Sequence, residues 1–461
     1  MRLFGLAVAL SVTALTICGC LQAEPRVGVY ANVDKPVVLG APGERVVVKV
    51  GLKGLTVPVM PKHIPLNVAI VLDKSGSMGS DHKMENAKRG AIEVVERLSR
   101  DDIISLIVYD NQAYVVIPAQ RVGDKDALIE TISGIYAGGS TALYGGVTLG
   151  ANQVRRHMSR EYVNRIILLS DGLANVGPQS TEDLARLGCN LNEEGITVTT
   201  IGVGLDYNED LMTALAARSG GNAYFASAGH ELPKIFAEEI GEAMTVVARD
   251  VRIRVWCPDE VRPVGVLGRE GEVSGQTMSV SVGELYGKND KYALFEVEVP
   301  TNEAGVKLTI AEVSVEYDDP HTNKRVEDKR SVMVTYDESQ EVVEEQQNTE
   351  IVVEAALTKS SEVKREAVAL ADRGEHRAAA ILMRENAVEL ENLAEKCDND
   401  GDLLGEATVC DKIFFDITEN EGMTRYQRKS VVNQAYAQTT QQGFVSEQDE
   451  DKDEDDKKEQ N

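Results

Sequence analysis

The chain has 461 residues, 43% of them hydrophobic, and a formal net charge of −27. That length argues for about three domains with ample material for cores. The acidic balance excludes nucleic acid as a partner and excludes an electrostatic hold on anionic lipid, since both need basic patches; it favours cations, basic partners or simply a soluble surface.

The opening MRLFGLAVALSVTALTICGC sets the basic Arg2 ahead of an apolar run and small residues. It reads as an export signal over residues 1–19 and not as a fold element. The run is too short for a spanning helix. Ile17-Cys18-Gly19-Cys20 resembles a bacterial lipobox. The resemblance implies that Cys20 is lipidated and anchors the protein to a membrane, with an ordinary cleaved signal as the alternative. Each buried CH₂ of such an anchor contributes ~0.8 kcal/mol. Leu21 is not the Asp that often retains lipoproteins in the inner membrane. The address implied is the bacterial envelope: outer membrane, periplasm or cell surface.

Residues 20–63 read as strands, RVGVYANV and ERVVVKVGL, with Pro and Gly at the turns. From residue 64 to 247 strand and helix alternate. LNVAIVLD is a buried strand, KMENAKRGAIEVVERLSR a helix with apolar residues at helical spacing, and DDIISLIVYD and AYVVIPAQ are strands. DKDALIETIS is a short helix, and a longer one begins near Tyr144 before the strand IILLSD. TEDLARLGCNLNEEG, ITVTTIGVG, DLMTALAARSGG, AYFAS and LPKIFAEEIGEAM continue the pattern. The fold class expected is α/β, a doubly wound, mostly parallel sheet covered on both faces.

Residues 248–340 change texture to short strands with turn signals, an antiparallel β-sandwich in which Trp256, the only tryptophan, is expected to pack in the core. Residues 341–440 turn helical, with Asp372, Arg373 and Gly374 at the bend of an αα-hairpin that looks like a single tetratricopeptide-type unit and reads as a small appendage. Cys397 and Cys410 flank CDNDGDLLGEATVC, a stretch read as a solvated loop. Export permits a disulfide between them, while Cys189 and Cys257 read as small buried hydrophobes. Leu403 stands where a calcium loop needs Gly, so an EF-hand is disfavoured. Residues 441–461, rich in Asp, Glu and Lys, cannot form a core and are expected to be disordered.

The chemistry gathers where strands end. LNVAIVLDKSGSMGS carries Asp73, Ser75 and Ser77 at i, i+2 and i+4 on the turn after a buried strand. Open α/β sheets bind ligands at that edge. Three oxygen side chains without a nearby His or Cys suit a small hard cation and not zinc; a plain Asx or Ser turn is the alternative. AGGSTALYGG puts Thr141 after a Gly-rich turn, and NRIILLSDGLANVG ends a second strand on Asp171.

With these three stretches in order, the chain resembles the von Willebrand factor type A domain and its metal-ion-dependent adhesion site. The resemblance implies a metal held by Asp73, Ser75, Ser77, Thr141 and Asp171: Mg²⁺, or else Mn²⁺ or Ca²⁺. It implies too a protein partner that supplies an Asp or Glu to the open position. Lys74 is expected to point outward. Over residues 25–340 the order of strands, A domain and strands resembles relatives of inter-α-trypsin-inhibitor heavy chains and of calcium-activated chloride channel homologues. The function expected is metal-dependent protein binding, adhesion or scaffolding, and not catalysis. The alternatives are a structural envelope protein with a vestigial site and a Mg²⁺-dependent hydrolase.

Overall fold

The structure, a computed structural model, describes residues 26–55 and 64–442. The export signal, Cys20 and the acidic stretch from residue 443 lie outside the described residues.

The chain first lays down β1 (Val27–Val33), β2 (Val37–Val38) and β3 (Arg45–Gly54), with β1 and β3 antiparallel. It then leaves for the α/β domain: β4 (Leu66–Asp73), β5 (Ile103–Tyr109), β6 (Ala113–Arg121), β7 (Val163–Ser170), β8 (Ile196–Val203) and β9 (Ala223–Ala226). Their order is β6-β5-β4-β7-β8-β9, parallel except for the antiparallel edge strand β6. Every residue of β4, β5, β7 and β8 is buried, as parallel strands covered on both faces must be.

The pleat sorts those residues between two helical layers. Val68, Ile70 and Leu72 face α1 (Lys83–Arg97), α2 (Lys125–Ser133) and α6 (Leu232–Met244). Ala69 and Val71 face α3 (Leu143–Arg155), α4 (Thr181–Glu193) and α5 (Glu209–Ser219). Helix α3 lies close on the sheet through Gly146 and Gly150, where a Cβ would come within 2.7 Å of the Tyr109 ring and 2.8 Å of Val71.

The chain returns to the sandwich as β10 (Val246–Trp256), β11 (Arg262–Leu267), β12 (Gly271–Ser274), β13 (Thr277–Tyr286), β14 (Asp290–Glu298), β15 (Lys307–Asp319) and β16 (Lys324–Tyr336). One sheet runs β1-β3-β14-β11 and the other β12-β13-β10-β15-β16-β2. Strands from before and after the α/β domain therefore share both sheets, and that domain is an insertion into the sandwich. Arg165 of β7, fully buried, bridges the two: it pairs with Glu239 of α6 and Glu284 of β13, and its Nη2 donates to the Tyr286 hydroxyl at 3.1 Å. Trp256 corrects expectation. From Val251 onward the buried positions of β10 are Val251, Ile253 and Val255, so the opposite phase turns Arg252, Arg254 and Trp256 outward, and Trp256 is 46% exposed.

A short α7 (Gln340–Glu345) leads to α8 (Thr349–Asp372), α9 (His376–Lys396), α10 (Gly401–Glu419) and α11 (Arg425–Thr440), which share one core. The bend between α8 and α9 falls at residues 373–375. These helices are docked on the α/β domain rather than hanging from it. Lys429 donates to the Tyr207 carbonyl at 2.5 Å, the Tyr436 hydroxyl to Gly221 O at 2.6 Å, and Arg428 pairs with Glu209 and Asp210. Past the end of α11, the Gln442 side-chain amide pairs with both N and O of Ala223 at 3.0 Å, covering the exposed edge of β9 as a further strand would.

The expected Cys397–Cys410 disulfide is not formed; both thiols are free. The stretch between them is helix and not loop from Gly401 onward. Cys410 thus stands nine residues along α10, about 13 Å from its start, beyond the reach of a disulfide. Its sulfur is buried beside Asn386 Nδ2 at 3.1 Å and Ser360 Oγ at 3.7 Å. Burial, with Glu406 nearby, holds the Cys410 thiol above its ordinary value. Reduction should leave the mass of the native protein unchanged. Iodoacetamide should label Cys410 only after denaturation, which alkylation followed by mass spectrometry would show.

Candidate metal-ion site at the carboxyl edge of the sheet

Strand β4 delivers Asp73 to the sheet edge fully buried, and the chain then turns sharply through Gly76–Gly79, anchored by buried Met78. Both Asp73 oxygens are occupied by protein: Oδ1 accepts from Ser75 N at 2.8 Å and Oδ2 from Ser170 Oγ at 3.0 Å. Burial pushes the Asp73 carboxyl up to about 6, opposed by the Ser75 and Ser170 hydrogen bonds and assisted by the charge of Asp171.

Asp171 follows directly on β7 and is also fully buried. Its Oδ1 accepts from Ser77 Oγ at 2.7 Å and from Ser75 Oγ at 3.3 Å, and the two serine oxygens stand 3.0 Å apart. These three oxygens form a near-equilateral triangle. Adjacent ligands about 2.1 Å from an octahedral Mg²⁺ stand about 3.0 Å from each other, so the triangle has the dimensions of one face of the octahedron. The donor set fits a hard divalent cation. Among the described residues no group of three His, Cys, Asp or Glu side chains is placed to hold a metal, so hydroxyls must carry much of any coordination here.

Thr141 arrives from the opposite side on a loop fastened by main-chain bonds: Gly138 N to Lys74 O at 2.6 Å, Gly76 N to Gly139 O at 3.0 Å, and Ala142 N to Asp110 O at 2.7 Å. Gly139, at φ +98°, lies so close to Asp110 that a Cβ there would meet the Asp110 Cβ at 2.7 Å. Thr141 is buried, its N–H donates to Asn175 Oδ1 at 2.9 Å, and its Oγ1 lies 3.1 Å from where a Cβ on Gly172 would stand. Ser77 Oγ lies 3.8 Å from that same point. The fold thus gathers all five residues at one edge, with Ser75, Ser77 and Asp171 in mutual contact, Asp73 bonded to Ser75 N, and Thr141 across Gly172.

Sequence reading missed a sixth participant, Lys83. Its buried ammonium holds Asp171 Oδ2 at 2.9 Å, leaving Oδ1 to the serines. A lysine in the first turn of a helix opposes the helix dipole. That mismatch, ten residues after Asp73, is the signal that points to it. Asp81 and His82, at φ 51° and 54°, bring the chain round to place it there, and two consecutive left-handed non-glycine residues are strain of the kind found at functional sites. Lys74 does not point freely outward as expected: it pairs with Asp110 and lies over the Tyr114 ring at 5.8 Å, tying the ligand turn to the loop after β5.

The family model for the von Willebrand factor type A domain matches residues 67–238. The uncharacterized protein sll0103 of Synechocystis is 27% identical over 270 residues, 56% of this chain and 63% of that one. The human inter-alpha-trypsin inhibitor heavy chain H4 is 28% identical over 170 residues, 35% of this chain and 18% of its own length. The chain spans less than two thirds of the length of these relatives. Among solved structures, a von Willebrand factor type A protein from Catenulispora acidiphila superposes with a TM-score of 0.70 at 17% identity, over 90% of this chain and 97% of that one, and so shares the fold beyond the α/β domain alone. The protein is therefore one that carries a von Willebrand factor type A domain, formed by residues 67–238 and set within an antiparallel sandwich.

Proposed function

We propose that Asp73, Ser75, Ser77, Thr141 and Asp171 hold a divalent cation, Mg²⁺ in the first place and Mn²⁺ or Ca²⁺ as alternatives, and that the ion binds a carboxylate of a protein partner. Domains of this type commonly mediate metal-dependent protein–protein interaction. The observation that carries the reading is the oxygen triangle of Ser75, Ser77 and Asp171 Oδ1, spaced for a hard ion while the second Asp171 oxygen is taken by Lys83. Two carboxylates and one ammonium sum to a single negative charge, so a bound divalent ion leaves the site cationic and in need of an anion. Around it Tyr136 and Leu173, on the loops that carry Thr141 and Asp171, are 77% and 59% exposed, and exposed apolar side chains beside a polar centre suit a protein surface better than a small solute.

Binding is favoured over catalysis because neither carboxylate stands free as nucleophile or base: Asp73 accepts from Ser75 and Ser170, and Asp171 from Ser75, Ser77 and Lys83. The role belongs at a bacterial envelope, with a lipid on Cys20 as the anchor in this reading. None of the described helices is long and apolar enough to cross a membrane.

The test is calorimetric titration of Mg²⁺ and Mn²⁺ into the EDTA-stripped protein begun at Leu21, with Asp73→Ala beside it. Saturable one-site binding that disappears in the variant is expected. Equal binding by both proteins would refute the ligand set, and binding by neither would mark the five residues as a structural feature of the fold.

A further inference from the structure

Away from that edge, where the α/β domain, the sandwich and the C-terminal helices meet, lies a cleft of about 700 Å³. In a chain of net charge −27 its lining is cationic, with six Arg and Lys side chains against three Glu. Three of the six already have carboxylate partners: Arg218 pairs with Glu270, itself in the cleft wall, Arg252 with Asp250 and Arg254 with Glu316. The other three, Arg269, Lys291 and Arg365, have no ion pair among the described residues.

Two of these are short of hydrogen-bond acceptors. Arg269 gives one guanidinium nitrogen to Gln441 Oε1 at 2.8 Å, while its Nε is buried without a partner. Lys291 is only 5% exposed, and its ammonium lies 5.0 Å from the centre of the Tyr286 ring without a hydrogen bond. The carboxylates closest in effect are engaged: Glu242 accepts from Asn222 at 2.9 Å, and Glu284 pairs with Arg165. Burial, and for Lys291 also the charge of Arg269, pull these groups below their ordinary values, to about 10 for Arg269 and about 8 for Lys291. Arg365 reaches the same wall and donates to Gly268 O at 3.1 Å.

Water would satisfy such donors but would not offset the repulsion between buried Lys291 and the half-buried Arg269 beside it, which the charges of Glu242 and Glu284 already oppose. A dianion does both. A guanidinium offers a planar fork and an ammonium a point charge, which together match the oxygens of a phosphate. The cleft is several times larger than a phosphate and falls in the size range of small-molecule sites at domain junctions.

We propose that this cleft binds a small phosphate monoester, its phosphate held by Arg269 and Lys291 with Arg365 beside them, and its esterified group filling the remaining space. All three parts of the fold line the cleft, so the ligand also clamps them together.

The test is titration calorimetry and thermal unfolding with inorganic phosphate and with glycerol 3-phosphate at constant ionic strength. EDTA keeps divalent ions, and hence the site at Asp73, out of the measurement. Saturable one-site binding of the ester, at least as tight as phosphate and accompanied by a rise in Tm, is expected. Lys291→Met should weaken binding at least tenfold. Arg365→Gln, an exposed change that leaves the fold intact, should weaken it about threefold. The assignment is overturned by the absence of saturable binding, by phosphate binding without ester binding, or by wild-type affinity in both variants.

Discussion

Replacing Arg165 by Met is expected to lower the free energy of unfolding by about 3–5 kcal/mol, the cost of breaking a buried ion pair from one side. Arg165 is fully buried and is the cation that Glu239 and Glu284 share. Methionine fills much of the volume but leaves both carboxylates in the interior. Glu239 would keep Thr199 Oγ1 at 2.6 Å and Asn222 Nδ2 at 3.0 Å, which soften the loss without neutralising the charge. Because Glu284 belongs to β13 and Arg165 to β7, the damage should fall on the seam between the inserted domain and the sandwich. Urea denaturation would measure it, with Glu239→Gln and Glu284→Gln added to the variant expected to restore part of the loss. A change below about 1 kcal/mol, of the size seen for exposed pairs, would mean that the cluster is not the seam's main electrostatic tie.

Lys83→Met is expected to tighten Mg²⁺ binding by roughly tenfold, worth about 1.4 kcal/mol. Two effects act in the same direction. The ammonium and the ion would share the two oxygens of Asp171, so removing the ammonium removes a repulsion between like charges in a buried setting. The ion-free protein also loses the partner of a buried carboxylate and becomes less stable, which enlarges the stabilisation that metal confers. Thermal unfolding with and without Mg²⁺ should therefore show a lower Tm in EDTA and a larger metal-dependent rise than in the unsubstituted protein. Weaker Mg²⁺ binding in Lys83→Met would overturn this account and make Lys83 chiefly a device for orienting Asp171.

The seam and the ion site differ in how far they can be read in advance. Asp73 and Asp171 are legible because each ends a run of apolar residues, and parallel strands bring their carboxyl ends to one edge. The phase of β10 was also legible in V-R-I-R-V-W-C, where the alternation puts Trp256 with the arginines. Phase, and not the apolar character of the side chain, decides which face of the sheet Trp256 takes. The helix α10 was obscured by the acids and glycines at its start, of which Asp400 turns out to be the N-cap, accepting from Asp402 N and Leu403 N at 3.0 Å.

By itself the sequence determined the alternation of strand and helix, an α/β stretch flanked by strands of another texture, and the order of the site residues along the chain. These follow from local periodicity and from where apolar runs stop. Only the tertiary structure decided that Lys83 takes one oxygen of Asp171, that Arg165 ties β7 to α6 and β13, that Cys410 is buried away from Cys397, and that Arg269 and Lys291 meet in a cleft. Those partners lie tens to more than a hundred residues apart, and a side chain's charge or polarity names no partner until packing has chosen which distant element will lie against it.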